Sequence, residues 1–290
     1  MKKLSNFVGN TPLLQISERI WAKFEGANPS GSIKDRMASY IINDAEKKGL
    51  IKPGDTIIEA TSGNSGIAFA FLGAERGYKV KIIMPSNMSE ERKSMLRLYG
   101  AQLIEVEDGN FDAAIKLRDE MAEEFGYFNP KQFSNPLNIK AHFKTTGPEI
   151  RRDFVGKISA FVDGTGTGGT LMGISRFLKI SEPDMKVVAV EPAESAVMSG
   201  GKPGLHGIQG IGDGSKFLVD LKKVDDIMVI STEDAKERAR RLASEKGLFV
   251  GISSGANVLA SERFLEKNQD LDGSIITILC DRGERYLSIL

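Results

Sequence analysis

The residue with the clearest chemical potential is Lys34, in the segment NPSGSIKDR at residues 28–36. We predict a helix over residues 34–48, which places this lysine in the first helical turn. A cation there opposes the helix dipole, so the position favours an uncharged, nucleophilic amine of the kind that forms a Schiff base with a carbonyl group. A solvent-exposed lysine without a catalytic role is the alternative.

A glycine-rich run, GTGTGG at residues 164–169, lies between a predicted strand and a predicted helix. It matches the dinucleotide-binding pattern G-x-G-x-x-G, and Glu191 ends the next predicted strand. Such a loop offers backbone N–H groups and a helix N-terminus to any phosphate, and Thr167 and Thr170 add hydroxyl groups that suit a monophosphate. A NAD site, a monophosphate site and a structural turn without a ligand remain the alternatives for this run.

Two further turns carry small polar residues where a strand gives way to a helix. Residues 59–66, EATSGNSG, supply more hydroxyl and amide groups than helix capping requires, which indicates a turn that binds a carboxylate. Residues 251–257, GISSGAN, have a similar composition, but capping by a serine alone would explain them. An ordinary N-cap is the alternative for both turns.

Short apolar runs alternate with segments of helical periodicity, which predicts an α/β fold with parallel strands. The predicted strands cover residues 56–59, 80–84, 102–106, 160–162, 186–191, 227–230 and 274–280. The predicted helices cover residues 34–48, 63–76, 89–98, 111–124, 169–179, 232–245 and 254–267. An Asn- and Pro-rich stretch at residues 128–138 separates two such sets, so we expect a cleft between two halves with the ligand at the carboxyl ends of strands.

The composition restricts the classes of protein and of ligand. Among 290 residues, 39 Lys and Arg balance 39 Asp and Glu, so nothing attracts the chain generally to nucleic acid or to anionic membranes. The single cysteine, Cys280, excludes an intramolecular disulfide, and His142 and His206 are isolated, so we interpret both as structural and predict no metal site. No apolar run approaches the ~20 residues of a membrane span. We therefore expect a cytoplasmic protein with a small-molecule substrate.

Taken in order, these segments resemble the cysteine synthase (O-acetylserine sulfhydrylase) family of fold-type II pyridoxal-phosphate enzymes over nearly the whole chain. The resemblance rests on residues 9–13, 28–36, 61–66, 132–136, 145–150, 166–170 and 251–255. Residues 84–92 and 280–288 resemble the B-type isozyme in particular. The family fold, similar to the tryptophan synthase β subunit, implies two open twisted sheets flanked by helices, with the cofactor in the cleft between them. It also implies a smaller domain of residues 28–137, which includes a mobile lid, and a larger domain of residues 1–27 and 138–290.

The resemblance assigns a role to each residue that matches a family motif. Lys34 would form the internal aldimine with pyridoxal 5′-phosphate, Asn64 would contact the 3′-oxygen, and Ser253 would face the ring nitrogen. Cys280 ends a predicted strand, so apart from the resemblance we interpret it as a core residue or as lining of the cofactor pocket, with a redox role as the alternative. The implied phosphate contacts are Gly166, Thr167, Gly168, Gly169 and Thr170. The implied contacts to the substrate carboxylate are Thr61, Ser62, Gly63, Ser65 and Gln132.

The reaction implied by the family is a β-replacement on an O-activated L-serine, with O-acetyl-L-serine as the expected substrate. Loss of the leaving group gives an aminoacrylate, to which sulfide adds to form L-cysteine. The expected partners are therefore the amino-acid substrate, sulfide and a second copy of the chain in a homodimer, with no nucleic acid and no membrane. The residues do not decide between an acetyl and a phosphoryl leaving group, or whether serine acetyltransferase binds.

Asp213 departs from the family, in which many synthases have a small residue at this place. We predict a catalytic role in which Asp213 orients or deprotonates a nucleophile such as water, redirecting the enzyme toward release of hydrogen sulfide from cysteine. A solvated residue in an Asp-Gly turn is the alternative.

Three other functions fit parts of the sequence. A NAD-dependent dehydrogenase would leave residues 28–36 and 61–66 unexplained. A serine or threonine dehydratase is disfavoured by the polar turn and by Gln132, and a catalytically silent binding module is disfavoured by the intact Lys34.

Overall fold

The computed structural model describes residues 3–61, 63–108 and 110–290. Within these ranges the chain forms two β-sheets, one of three strands and one of six, with α-helices packed against both. The predicted α/β architecture of two open sheets flanked by helices is therefore confirmed.

The elements agree closely with the periodicity of the sequence. The strands are β1 (Leu13–Ser17), β2 (Ile20–Phe24), β3 (Thr56–Ala60), β4 (Lys79–Pro85), β5 (Gln102–Val106), β6 (Ile158–Gly164), β7 (Lys186–Pro192), β8 (Asp226–Ile230) and β9 (Ser274–Leu279). The α-helices are α1 (Lys34–Lys47), α2 (Asn64–Arg76), α3 (Glu90–Leu98), α4 (Phe111–Phe125), α5 (Pro136–Lys144), α6 (Thr146–Asp153), α7 (Gly169–Leu178), α8 (Thr232–Lys246) and α9 (Ile252–Lys267). In the described part of the chain, no helix has both the length and the apolarity needed to cross a membrane.

The smaller sheet has the strand order β3-β4-β5 and is parallel throughout. Ile57 and Ile82 pack against α1 and α2, whereas Ile58 and Ile83 on the opposite face pack against α4. Burial of both faces explains why these strands are continuous apolar runs rather than alternating ones.

The larger sheet has the order β1-β2-β9-β6-β7-β8. Only the β1–β2 pairing is antiparallel, and the other neighbours run parallel. Ala160 and Val162 of β6 pack toward α9, while Phe161 packs toward α7. The glycine-rich loop therefore connects the carboxyl end of β6 directly to the start of α7.

Four elements were not predicted: β1, β2, α5 and α6. Helix α5 begins within the Asn- and Pro-rich stretch that the sequence suggested as a boundary. Asn135 caps this helix by accepting the backbone N–H of Leu137 at 3.0 Å, and Pro136 occupies the first helical position, where its missing N–H has no cost. The Asn-Pro pair therefore starts a helix instead of a loop, which brings α5 beside α7.

Candidate active site

A cavity lies where loops from both sheets meet. Thr61 follows β3 of the smaller sheet, and Thr167 follows β6 of the larger one. The full lining is Lys34, Thr61, Asn64, Ser65, Gln132, Phe133, Thr167, Gly210 and Asp213. Seven of the residues predicted from the sequence thus surround one space, whereas Ser62 lies outside the described residues.

Lys34 is the first residue of α1, and its neighbours fix its position. The carboxylate of Asp35 accepts the backbone N–H of Ser30 at 2.7 Å, which closes the loop that precedes the helix. The backbone N–H of Ile33 donates to the carbonyl oxygen of Cys280 at 2.9 Å. No hydrogen bond or ion pair is made by Lys34 Nζ with any residue in the described ranges, so the amine is available to a ligand in the cavity.

A buried ionic network anchors the same end of α1 to the larger sheet. The guanidinium of Arg36 contacts Glu25 at 2.6 Å and Glu149 at 2.7 Å, and Lys23 Nζ lies 3.1 Å from Glu149. Burial opposes ionisation of Glu149, but the hydrogen bonds and charge of Arg36 outweigh it and lower the pKa of that carboxyl to about 2. The network therefore holds the turn that carries Lys34 in place.

The glycine-rich loop forms a cradle that has no room for a side chain at Gly166 or Gly169. A Cβ on Gly166 would lie 2.5 Å from the carbonyl oxygen of Gly210, and one on Gly169 would lie 2.0 Å from Asn138 Oδ1. Gly168 has φ +84°, in the left-handed region, and caps α7 without a side-chain acceptor. The backbone N–H of Gly169 donates to Thr167 Oγ1 at 3.3 Å, and the N-cap residue supplies no side-chain acceptor to the first turn of α7. The N-terminus of this helix and its hydroxyl groups therefore fit a phosphate group.

The carboxylate-binding turn predicted at the start of α2 is part of a buried polar network. Gln132 Nε2 donates to the carbonyl oxygen of Ala60 at 2.8 Å, and Gln132 Oε1 accepts the hydroxyl of Ser65. The backbone N–H of Gly63 donates to Thr61 Oγ1 at 3.0 Å. Gly63 caps α2 without a side-chain acceptor, so hydroxyl, amide and helix N-terminal groups converge where a carboxylate could bind.

Asn64 projects from the first residue of α2 into the cavity. Its Nδ2 donates to Asp281 Oδ2 at 2.6 Å, while its buried Oδ1 has no hydrogen-bond partner in the described part of the chain. An orphaned buried amide oxygen in a native structure indicates a missing partner. Together with the phosphate cradle and the unpaired Lys34, it shows that the residues present fit pyridoxal phosphate.

Ser253 and Cys280 do not line the cavity but lie beside residues that do. Helix α9 begins at Ile252, two residues earlier than predicted from the sequence, so Ser253 lies in its first turn. Burial, with the negative charges of Asp163 and Asp281, raises the pKa of the Cys280 thiol far above its usual range. A thiol that stays protonated is a poor nucleophile and redox group, so the raised pKa favours a packing role for Cys280 over a redox role.

Asp213 faces the cavity from the loop after β7. Its carboxylate is half-buried, and no hydrogen bond reaches it from any described residue; a Cβ on Gly166 would lie 3.6 Å from its Oδ2. Burial raises the pKa of Asp213, although the positive charges of Lys34 and Arg92 partly oppose the shift. Asp213 and Gly210 also line a larger, more open space, so they are shared by this opening and by the cavity that contains Lys34.

Two residues of the cavity lining, Phe133 and Gly210, were not predicted as site residues. Three polar residues close to the site, Asn138, Asp163 and Asp281, were not predicted either. Asn138 Nδ2 donates to Thr167 Oγ1 at 2.9 Å. Asp163 immediately precedes the glycine-rich loop, and burial raises its pKa to about 7. Asp281 lies within residues 280–288, which were selected for their resemblance but without a role for this residue, and Asp163 adjoins the glycine-rich run. Asn138 had no sequence signal because α5 was not predicted.

Comparison with known proteins places the chain in a family. The sequence profile of the pyridoxal-phosphate-dependent enzymes matches residues 4–281. The chain therefore belongs to the pyridoxal-phosphate-dependent enzymes, and pyridoxal phosphate is its cofactor. This result excludes the NAD-dependent alternative and supports the monophosphate interpretation of the glycine-rich loop.

Within that family the chain is similar to cysteine synthases. The cysteine synthase of Staphylococcus aureus is 43% identical over 299 residues, which cover 98% of this chain and 95% of the relative. The solved cysteine synthase of Entamoeba histolytica is 40% identical with a TM-score of 0.92, covering 100% of this chain and 90% of the other. A solved hydrogen sulfide-producing enzyme of Fusobacterium nucleatum is 41% identical with a TM-score of 0.92, covering 99% and 90%. The predicted resemblance to the cysteine synthases and the fold type are both confirmed.

Proposed function

We propose that this protein is a cysteine synthase, which replaces the acetoxy group of O-acetyl-L-serine with sulfide to give L-cysteine. The observation that carries the proposal is one cavity that joins the unpaired Lys34, the carboxylate-binding turn and Thr167 of the phosphate cradle. These groups can bind a cofactor and an amino acid next to each other, with both in contact with Lys34 as the base. The similarity to cysteine synthases over nearly the whole chain supports the choice of reaction.

When bound, pyridoxal phosphate supplies an electron sink that withdraws charge from the α-carbon of the substrate. In this chain, residues 164–169 and the N-terminus of α7 would hold the phosphate, and Lys34 and Asn64 would hold the reactive end of the ring. Ser253 would face the ring nitrogen, where a neutral hydroxyl does not favour a charged ring.

The protein groups around the substrate then have separable tasks. Thr61, Ser65 and Gln132 would bind the carboxylate and thereby fix the orientation of the α-carbon. The amine of Lys34 would accept the α-proton, hold it at Nζ and return it at the end of the cycle. The ion pairs of Arg36 with Glu25 and Glu149 hold the start of α1, and with it this amine, in position without contacting the substrate.

Several expectations from the sequence stay predictions. They are the carboxylate contact of Ser62, the domain limits at residues 28–137, the cytoplasmic location and the homodimer. Each adds to the proposed function, but none is needed for the chemistry of the cavity.

The proposed reaction is tested by an absorbance titration of the purified holoenzyme. We expect O-acetyl-L-serine to shift the visible cofactor band to longer wavelength, because loss of acetate extends the conjugated system. Sulfide should then restore the original band, and L-serine, which has a poorer leaving group, should leave it nearly unchanged. A band that O-acetyl-L-serine does not move would contradict the proposal.

A second candidate function, the conversion of L-cysteine and water to L-serine and hydrogen sulfide, is favoured by Asp213. A carboxylate with a raised pKa and no hydrogen-bond partner in the described ranges can accept a proton from water within the cavity. Asp213 also lines both the cavity and the larger opening beside it, from which an incoming nucleophile would enter. The similarity to a hydrogen sulfide-producing enzyme is consistent with this candidate.

The Asp213→Asn variant separates the two functions. The amide keeps the shape of the side chain but cannot take a proton, so formation of serine from L-cysteine should fall by about 100-fold. The ratio of this rate to the rate of cysteine synthesis is the measured quantity, with the cofactor absorbance as the control for an intact site. An identical ratio in both proteins would make Asp213 a turn residue without a catalytic role.

A further inference from the structure

Helices α5 and α7 approach each other closely beside the phosphate cradle. A Cβ on Gly173 of α7 would lie 2.4 Å from the carbonyl oxygen of Ile139 and 2.7 Å from His142 Cβ. One turn earlier, a Cβ on Gly169 would lie 2.0 Å from Asn138 Oδ1. The two glycines, four residues apart, thus make room for two α5 side chains that are also four residues apart.

These two α5 side chains end on the hydroxyl groups of the phosphate loop. Asn138 Nδ2 lies 2.9 Å from Thr167 Oγ1, and His142 Nε2 lies 3.4 Å from Thr170 Oγ1. Asn138 is 2% exposed and His142 is 1% exposed. The contact of Asn138 with Thr167 is buried, whereas Thr170 is partly exposed. Each threonine that the sequence assigns to the cofactor phosphate therefore has its own partner on α5.

The orientation of the Asn138 amide follows from its second partner. Its nitrogen lies 3.0 Å from the carbonyl oxygen of Gln132, an atom that can only accept hydrogen bonds. The NH₂ group therefore faces both Gln132 and Thr167, and each of its two hydrogens has one acceptor. Asn138 is consequently a donor to the Thr167 hydroxyl.

The tautomer of His142 is assigned from the hydrogen-bond partner of its other ring nitrogen, Nδ1. Burial and the positive charges of Arg36 and Lys34 hold the pKa of His142 well below its usual range, so the ring is neutral and carries one N–H. Nδ1 lies 2.9 Å from Thr146 Oγ1, which is closer than the 3.5 Å between that hydroxyl and Thr145 Oγ1. The Thr145 hydroxyl donates to the carbonyl oxygen of Ala141 at 2.7 Å, so Nδ1 and Thr145 Oγ1 are the two acceptors within reach of the Thr146 hydrogen. We assign this hydrogen to Nδ1, the nearer of the two, which leaves the N–H on Nε2, facing Thr170.

We propose that α5 orients the phosphate loop, with Asn138 and His142 donating to Thr167 and Thr170 so that both threonine hydrogens point to the cofactor phosphate. A hydroxyl that accepts an N–H keeps its own hydrogen for another acceptor, and a phosphate offers only acceptors near neutral pH. Asn138 and His142 are positioning residues, because they touch the threonines and not the ligand. The inference rests on the pyridoxal-phosphate site and is independent of the choice between cysteine synthesis and sulfide release.

The Asn138→Asp variant replaces the amide donor that faces Thr167 with a carboxylate acceptor of nearly the same size. The Thr167 hydroxyl would then donate to the carboxylate, and the added charge would repel the phosphate. We expect the apoenzyme to bind pyridoxal 5′-phosphate about 100-fold more weakly, while its affinity for pyridoxal, which lacks the phosphate, changes by less than about threefold. Binding is measured by fluorescence titration of the apoenzyme, and the ³¹P shift of the bound phosphate provides a readout independent of activity.

The matched control is Asn135→Asp, which makes the same change three residues earlier on α5. A carboxylate there still accepts the backbone N–H of Leu137 and keeps the cap, so the affinity for both ligands should stay within about threefold of the wild type.

The His142 variants provide a second, independent test. His142→Leu removes the donor to Thr170 and should weaken pyridoxal 5′-phosphate binding by about tenfold, whereas His142→Gln, which retains an N–H donor, should recover part of the loss. The ratio of the two ligand affinities decides the outcome. An equal loss for pyridoxal 5′-phosphate and pyridoxal would show a merely structural role and overturn the proposal, as would an unchanged phosphate affinity. If Asn138→Asp does not fold, the same ratio in the His142 variants decides.

Discussion

Replacing Lys34 with alanine is expected to lower the turnover of O-acetyl-L-serine by at least about 1,000-fold. Lys34 opens α1, lines the cavity, and has no competing partner in the described ranges. Its amine is therefore the one group there that we expect both to hold the cofactor covalently and to move the α-proton. Turnover is measured with sulfide in excess, and mass spectrometry after borohydride reduction should find the cofactor on wild-type Lys34 and none on the variant.

The control for this prediction is Lys47→Ala, at the other end of the same helix. Lys47 is exposed, so the same substitution there changes the charge and helix propensity of α1 without reaching the cavity. Its turnover should stay near the wild-type value. If Lys34→Ala retained more than about a tenth of the wild-type rate, another base would have to be found.

Replacing Arg36 with leucine is expected to lower the free energy of unfolding by about 3–5 kcal/mol, because it leaves Glu25 and Glu149 buried near each other without their shared cation. Arg36 is 2% exposed and makes contacts of 2.6 to 2.8 Å with both carboxylates. Lys23 can compensate only in part, because it reaches Glu149 but no contact joins it to Glu25. The measurement is urea unfolding of the apoenzyme followed by circular dichroism.

Arg241→Leu is the matched control for the buried network. Arg241 also pairs with a glutamate, Glu245, at 2.7 Å, but its side chain is 54% exposed. An exposed i,i+4 pair contributes about 0.3–0.5 kcal/mol, so this variant should unfold at almost the wild-type urea concentration. A similar loss in both variants would show that the buried position of Arg36 has no special importance.

The parts of the site that the sequence predicted are those set by local geometry. The glycines at residues 164–169 and the polar turn at residues 59–66 each define a strand-to-helix junction within a few residues. Lys34 is a cation in the first turn of a helix, where it opposes the helix dipole, and such a local conflict often marks a functional site. Asn138 and Asp281 could not be found in this way, because each acts on a residue far along the chain. The contact of Asp281 with Asn64 exists only after β9 and α2 have been brought together.

The missed elements have a related explanation. Strands β1 and β2 form an antiparallel hairpin at the edge of the larger sheet, and β1 has only one buried residue, Ile16. Its pattern therefore lacks the continuous apolar run that identified the central strands. Helix α6 has eight residues, which is shorter than the window of about 11–18 residues over which helical periodicity can be recognised in a sequence.

The pairing of β2 with β9 determines the order in which the molecule can be assembled during synthesis. Ile20 lies beside Ile275, so β2 emerges from the ribosome long before its central neighbour exists. Strands β3, β4 and β5, in contrast, are consecutive in the chain and can pair as soon as residue 106 is available. Non-local pairing is slow, because its loop-closure entropy must be overcome before any contact is gained. The smaller sheet should therefore fold first, and the cradle for the cofactor is completed only after residues 274–279 have joined β2 to β6.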